Sequence, residues 1–153
     1  MDAPREIAGV AVIPLKKVVN DRGHLQEIVR NDDPRFTVAA QVYLTATKPG
    51  VVKAWYRHWI QTDQIAIAAG QVRVALFDTR ENSPSQGVLQ ELVMIDSAPT
   101  LLQIPPGVWH GFQGAGAEPA LLLHLNSEAF NEHQLDEDRL PPTTLEIPFK
   151  WAA

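Results

Sequence analysis

Twelve prolines and nine glycines are scattered along 153 residues, so the chain is cut into segments too short for a long helix. Between the breaks lie runs rich in Val, Ile, Leu and Tyr, at 25–30, 41–47, 51–55, 65–69, 72–78, 89–95, 100–104 and 120–125. Several alternate, as in Val72-Arg73-Val74-Ala75-Leu76, with the two-residue period of a strand that buries one face. Turn signals recur at about the 8–12-residue spacing of a sandwich or barrel. They are Asp21-Arg22-Gly23, Lys48-Pro49-Gly50, Ala69-Gly70, Asn82-Ser83-Pro84 and Pro105-Pro106-Gly107. Only Ser127 to Arg139 is open to a short helix, capped by Asn126 or Ser127; otherwise the C-terminal part is an extended tail. The pattern predicts an all-β, double-sheet barrel of jelly-roll type.

Bulk properties narrow the function. Hydrophobic residues make up 45% of the chain, enough for one core, and the length suits a single domain over 1–153. Its core is expected at about 20–126, with 127–153 as an extension. That extension is Pro-rich but ends in Ile147, Phe149 and Trp151, which are expected to pack on the barrel or on a second subunit. The net charge is -5 and no basic run exists, which argues against nucleic acid or an anionic membrane as partner. The absence of cysteine excludes disulfides and thiolate chemistry and fits the cytoplasm. No apolar run approaches the roughly 20 residues of a membrane span. Ile7 to Ile13 follows acidic Asp2 and Glu6 and is cut by Pro14, so it reads as a first strand and not as a signal peptide.

Two segments carry ring side chains suited to a site. Pro105-x-Gly107-x-x-His110 makes a turn at a strand end, after which His110 either points across the barrel mouth or is a buried histidine bonded to a backbone carbonyl. It matches the second motif of the cupin superfamily. Gly50, five residues, Tyr56-Arg57-His58, then Gln64 and Gly70 resemble the first motif. In that motif a His-x-His and a following Glu join the second-motif His around a metal. Here Tyr56 stands for the first histidine and Gln64 is nearest the acid's place. His58 and His110 are then left with two poor ligands, and no metal is expected. Tyr56 and His58 share a strand face, so both can look inward. His124, inside the apolar run Leu121 to Leu125, is either a satisfied core histidine or part of a cavity wall. His24 and His133 sit in polar, turn-like surroundings and read as solvated. Asp78 to Gly87 reads as a hairpin loop closed by a surface Asp78–Arg80 pair of little energetic value, with Arg80 also able to assist an anionic substrate.

A wider set of segments follows in order. These are Asp21 to Glu27, Gln41-Val42-Tyr43, Lys53-Ala54-Trp55-Tyr56, Asp78-x-Arg80-x-x-Ser83-Pro84-x-x-Gly87, and Ile104-Pro105-Pro106-Gly107-x-x-His110-Gly111-Phe112. Over roughly 20–151 the chain resembles the dTDP-4-dehydrorhamnose 3,5-epimerase family, especially a shorter, divergent branch. The resemblance implies a cupin-type jelly roll, a homodimer, no metal or other cofactor, and a nucleotide-linked 4-keto-6-deoxyhexose as substrate. It implies that a base removes a proton next to the ketone and an acid on the opposite face returns one. It places Lys53 at the phosphate, His110 at the second active-site histidine, Arg22 and Glu27 at the nucleotide, and Gln41 at its base. Arg57 adds a further cation beside the site, and His124 falls near the acid tyrosine.

One position departs from the family. Tyr56 takes the place of the base histidine, and Pro141-Pro142-Thr143-Thr144 stands where that histidine's aspartate partner should be. A tyrosine, with an ordinary pKa of about 10, is a poor base at neutral pH. Three outcomes follow: lost activity, His58 or His110 as base, or an exchange of roles in which His124 abstracts and Tyr56 donates. The rival from another class is a non-catalytic cupin that binds a nucleotide-sugar or small anion. A metal-dependent cupin enzyme is a third reading.

Overall fold

A computed structural model describes residues 6–153, so Asp2 lies outside the described residues. The strands are β1 (Ala11–Pro14), β2 (Lys17–Asn20), β3 (Gly23–Gln26), β4 (Gln41–Thr47), β5 (Val52–His58), β6 (Asp63–Ala69), β7 (Gln71–Asp78), β8 (Leu89–Ile95), β9 (Thr100–Ile104), β10 (Val108–Gly114), β11 (Ala120–Asn126) and β12 (Glu137–Arg139). They form two five-stranded sheets, β1-β9-β6-β11-β4 and β12-β5-β10-β7-β8, plus a β2-β3 hairpin. β11 inserts between β4 and β6, and β10 between β5 and β7, the interleaving of a jelly roll. The fold class is the all-β jelly roll that the strand pattern implies.

Alternation sets the interior. Val72, Val74 and Leu76 on β7, with Val108 and Phe112 on β10, meet Ile65 and Ile67 on β6, Leu102 and Ile104 on β9 and Leu122 on β11. Each is nearly or fully buried, contributing roughly 1.5–3 kcal/mol from apolar burial. The outer face of the second sheet is covered by the chain's own end. Ile147 is buried, Phe149 and Trp151 lie 5.8 and 5.1 Å from the Trp55 ring, and Ala152 bonds to Gln113 in both directions. Gly111 allows this closure, because a Cβ there would stand 2.8 Å from the Trp151 ring and 2.5 Å from Ala54 Cβ.

Three expectations need correction, and one open alternative is decided. The first strand begins at Ala11, and Ile7 is instead a buried plug whose N–H donates to Gln90. Segment 127–139 is not helical. Its peptide groups pair with β5 through β12, and the Asp136 carboxylate holds the N–H groups of Trp59, Ile60 and Gln61, contacts that a helix would withdraw. Strands β1 and β12 carry the two main sheets beyond 20–126. Finally, Asp78 is fully buried and accepts from Arg80, Ser83 and Ser85. Burial opposes its charge, but these bonds hold the carboxyl well below its ordinary range. Arg80 also ties down Ala8 and lies under Gly107, so the pair is a structural clamp, not a surface bridge or an anion site.

Candidate active site

Strand register brings the two ring-bearing segments together. β10 pairs antiparallel with β5 so that His110 stands opposite Tyr56, and the two-residue period adds His58 to the same face. The next strand in sequence, β6, belongs to the other sheet, and its first residue reaches across. Asp63 Oδ2 lies 2.9 Å from His110 Nε2 and 3.6 Å from His58 Nε2, with the Asp63 and His110 side chains almost wholly buried. Gln61 donates its amide hydrogen to the other carboxylate oxygen.

Backbone carbonyls set the ring hydrogens. His58 Nδ1 is 2.8 Å from the Asp136 carbonyl and His110 Nδ1 is 3.1 Å from that of Val108. A carbonyl only accepts, so both Nδ1 atoms carry hydrogen and the charge is decided at Nε2. Burial opposes charging of His110, yet the hydrogen bond and charge of Asp63 win and raise its pKa above the ordinary histidine value. Burial likewise opposes the Asp63 charge, and His110 draws its pKa below the usual carboxylate value. The two form a buried ion pair with both His110 nitrogens occupied. His58 differs, because its Nε2 faces the same cavity without a short bond.

The facing wall comes from β4 and β11, whose register sets Tyr43 opposite His124. Their rings stack at 4.6 Å and 12°. His124 Nε2 is 2.8 Å from the Thr45 hydroxyl, and Asn126 Nδ2 donates to Tyr43 Oη at 3.1 Å. Burial pushes the His124 pKa down to about 4, so the ring is neutral at neutral pH. A histidine depressed on folding favours the unfolded chain as acid is added, over the window from its ordinary 6.5 down to about 4. The loss is on the order of 3 kcal/mol across that window. Urea unfolding at pH 7 and pH 4.5 is expected to show a steep stability loss in the wild type and a much smaller one in His124→Asn. Equal losses in both would exclude this origin.

Between the walls lies a cavity of about 410 Å³, within the size range of small-molecule sites. Tyr56, His58, His110 and His124 all line it, together with Asp63 and Tyr43. Gln41 and Lys53 also reach it, as does Arg139, whose guanidinium sits 5.5 Å from the Tyr56 ring centroid. Three residues expected at the substrate are elsewhere. Arg57 alternates to the outer face, between the Trp59 and Trp109 rings and bonded to Asp138. Arg22 is exposed at the β2-β3 turn and Glu27 follows that hairpin, both outside the cavity of their own chain. His24 and His133 are exposed.

Sequence reasoning missed Asp63, Tyr43 and Arg139. Parity separates Asp63 from its neighbour. Gln64 faces away and bonds to Thr37 and Leu125 carbonyls, so Asp63, five residues after His58, fills the acid's place. The donor atoms of His58, Asp63 and His110 lie within 4.8 Å of one another, a set able to hold a divalent ion. A proton on His110 satisfies the same atoms.

Residues 4–152 match the model of the dTDP-4-dehydrorhamnose 3,5-epimerase family. The chain belongs to that family. It is 36% identical over 149 residues to the probable low-salt glycan biosynthesis epimerase Agl13 of Haloferax volcanii, covering 96% of each. It is 35% identical to the spore coat polysaccharide biosynthesis protein SpsL of Bacillus subtilis, over 95% of this chain and 96% of that one. A crystal structure of a dTDP sugar isomerase from Desulfovibrio desulfuricans superposes with a TM-score of 0.90 at 32% identity, covering 95% and 92% of the two chains. Family membership makes this chain an enzyme of the isomerase class, and the non-catalytic alternative gains no comparable support. Among the described residues, no helix is long and apolar enough to cross a membrane.

Proposed function

We propose that the enzyme epimerises a dTDP-linked 4-keto-6-deoxyhexose at a carbon next to the ketone, with His58 as base. The observation that carries this reading is the His58 ring. Its Nδ1–H is fixed on the Asp136 carbonyl, which leaves the Nε2 lone pair in the cavity beside Asp63. Asp63 favours the imidazolium that forms when the proton is taken. His110, held at both nitrogens, positions Asp63 and is not itself the base.

In the reaction the C–H electrons move into the C3–C4 or C4–C5 bond, and the ketone oxygen becomes an enolate oxygen. Tyr56 donates a hydrogen bond from its hydroxyl to that oxygen and so keeps a role without acting as a base. The proton returns from the Tyr43–His124 wall, on the opposite sheet, which inverts the centre. Lys53 and Arg139 supply cations for the diphosphate, and Gln41 a polar contact for the nucleotide. Proton transfer of this kind needs no cofactor. We also propose a cytoplasmic homodimer. Edge strand β4, with exposed Val42 and Leu44, supplies an apolar surface for it, and Arg22 and Glu27 are left for contacts beyond a single chain's cavity.

Calorimetric titration with dTDP and a panel of sugar nucleotides, followed by deuterium uptake from heavy water, tests the reading. Binding of dTDP-sugars with uptake next to the ketone is expected. Binding without uptake from any 4-keto sugar would select the sensor or scaffold alternative.

A further inference from the structure

Beyond the base, the wall facing it contains polar atoms that the protein leaves unengaged. Tyr43 Oη accepts a hydrogen bond from Asn126 Nδ2, and its own hydrogen has no acceptor among the described residues. Asn126 Oδ1 and Thr47 Oγ1 are buried with no hydrogen-bond partner among the described residues. Both residues line the cavity beside Tyr43. Buried polar atoms are rarely left unpaired, so two of them beside a hydroxyl whose hydrogen is uncommitted mark a cavity wall completed by a polar ligand.

We propose that Tyr43 is the proton donor of the reaction, a role resting on the epimerase reading above and assigned to β4 and not to the His124 position on β11. His58 Nε2 takes the proton on one face, and the C–H pair becomes the enolate. The enolate π pair then forms a new C–H bond with the Tyr43 hydroxyl proton on the other face, leaving a phenolate. Solvent removes the proton from His58 and returns one to Tyr43.

Three features suit Tyr43 to this work. The N–H of Asn126 points at the oxygen where negative charge develops and stabilises the phenolate. Stacking on neutral His124 fixes the ring without placing a competing charge beside it. Burial holds the phenol above its ordinary pKa despite the Asn126 bond, so the proton is present at neutral pH. His124 is then a positioning residue, its Nε2 held at Thr45.

The test is Tyr43→Phe, which keeps the stacked ring and removes only the hydroxyl. Inverted product is expected to fall by roughly 10²–10⁴-fold, the usual worth of a positioned acid. Deuterium uptake into recovered substrate is expected to persist, because His58 still abstracts and solvent returns the proton on the same face. Binding of dTDP, measured by calorimetry, is expected to be unchanged. Near-normal inversion, or a parallel loss of uptake and inversion with dTDP binding intact, would overturn the assignment. Should the variant lose dTDP binding, Asn126→Ala decides. Without its N–H the phenolate is less stable, so the alkaline limb of the inversion rate must move to higher pH, and an unmoved limb overturns the proposal. A wild-type enzyme that exchanges nothing would sink the epimerase reading itself, whereas an active wild type matched by Tyr43→Phe sinks only the donor.

Discussion

His58→Gln is expected to lower turnover by roughly 10²–10⁴-fold and to remove deuterium uptake next to the ketone together with product formation. Abstraction precedes every later event, so the variant differs from Tyr43→Phe, in which uptake survives. Little folding stability should be lost. The His58 side chain is 18% exposed, and a glutamine amide can still donate to the Asp136 carbonyl. Nuclear magnetic resonance of substrate recovered from heavy water, alongside thermal unfolding, separates the two effects. Full uptake in His58→Gln would remove this base from the scheme and return attention to His124.

Asp63→Asn carries the largest expected stability effect. Removing one partner of a buried ion pair commonly costs 3–5 kcal/mol, a large share of the 5–15 kcal/mol that holds a domain folded. The sign with pH follows from the two shifts. His110, raised on folding, contributes stability that is complete below its ordinary 6.5 and is lost as pH rises through its higher folded value. Asp63, lowered on folding, contributes stability that is complete above its ordinary 3.8 and is lost as pH falls through its lower folded value. The pair is therefore worth most between about 4 and 6.5. Denaturant unfolding at pH 6 and pH 9 is expected to show a wide gap between wild type and Asp63→Asn at pH 6, narrowing at pH 9. A variant as stable as the wild type at pH 6 would refute a buried His110–Asp63 ion pair.

How far the site was legible depends on the residue. Period-two alternation correctly placed Tyr56 and His58 on one face, and the same rule turns Arg57 outward, away from the substrate role expected of it. The strands 41–47, 89–95 and 100–104 were readable to the residue from their β-branched and aliphatic runs and flanking turns. β10 was not, because two glycines and a histidine dilute its strand pattern, although it is buried along its whole length. Its glycines exist for close approach of other chain segments, which local pattern does not express.

Proline and glycine breaks, alternating apolar runs and two ring-bearing motifs were enough to determine a jelly roll with histidines near its mouth. Local order carries that information, because strand period and turn chemistry act over a few residues. The carboxylate that charges His110 comes instead from the opposite sheet, and the carbonyl that orients His58 lies 78 positions further along the chain. Which nitrogen is free to take a proton is settled by through-space partners, one beside β5 in its own sheet and one on the facing sheet, and only the tertiary structure supplies them.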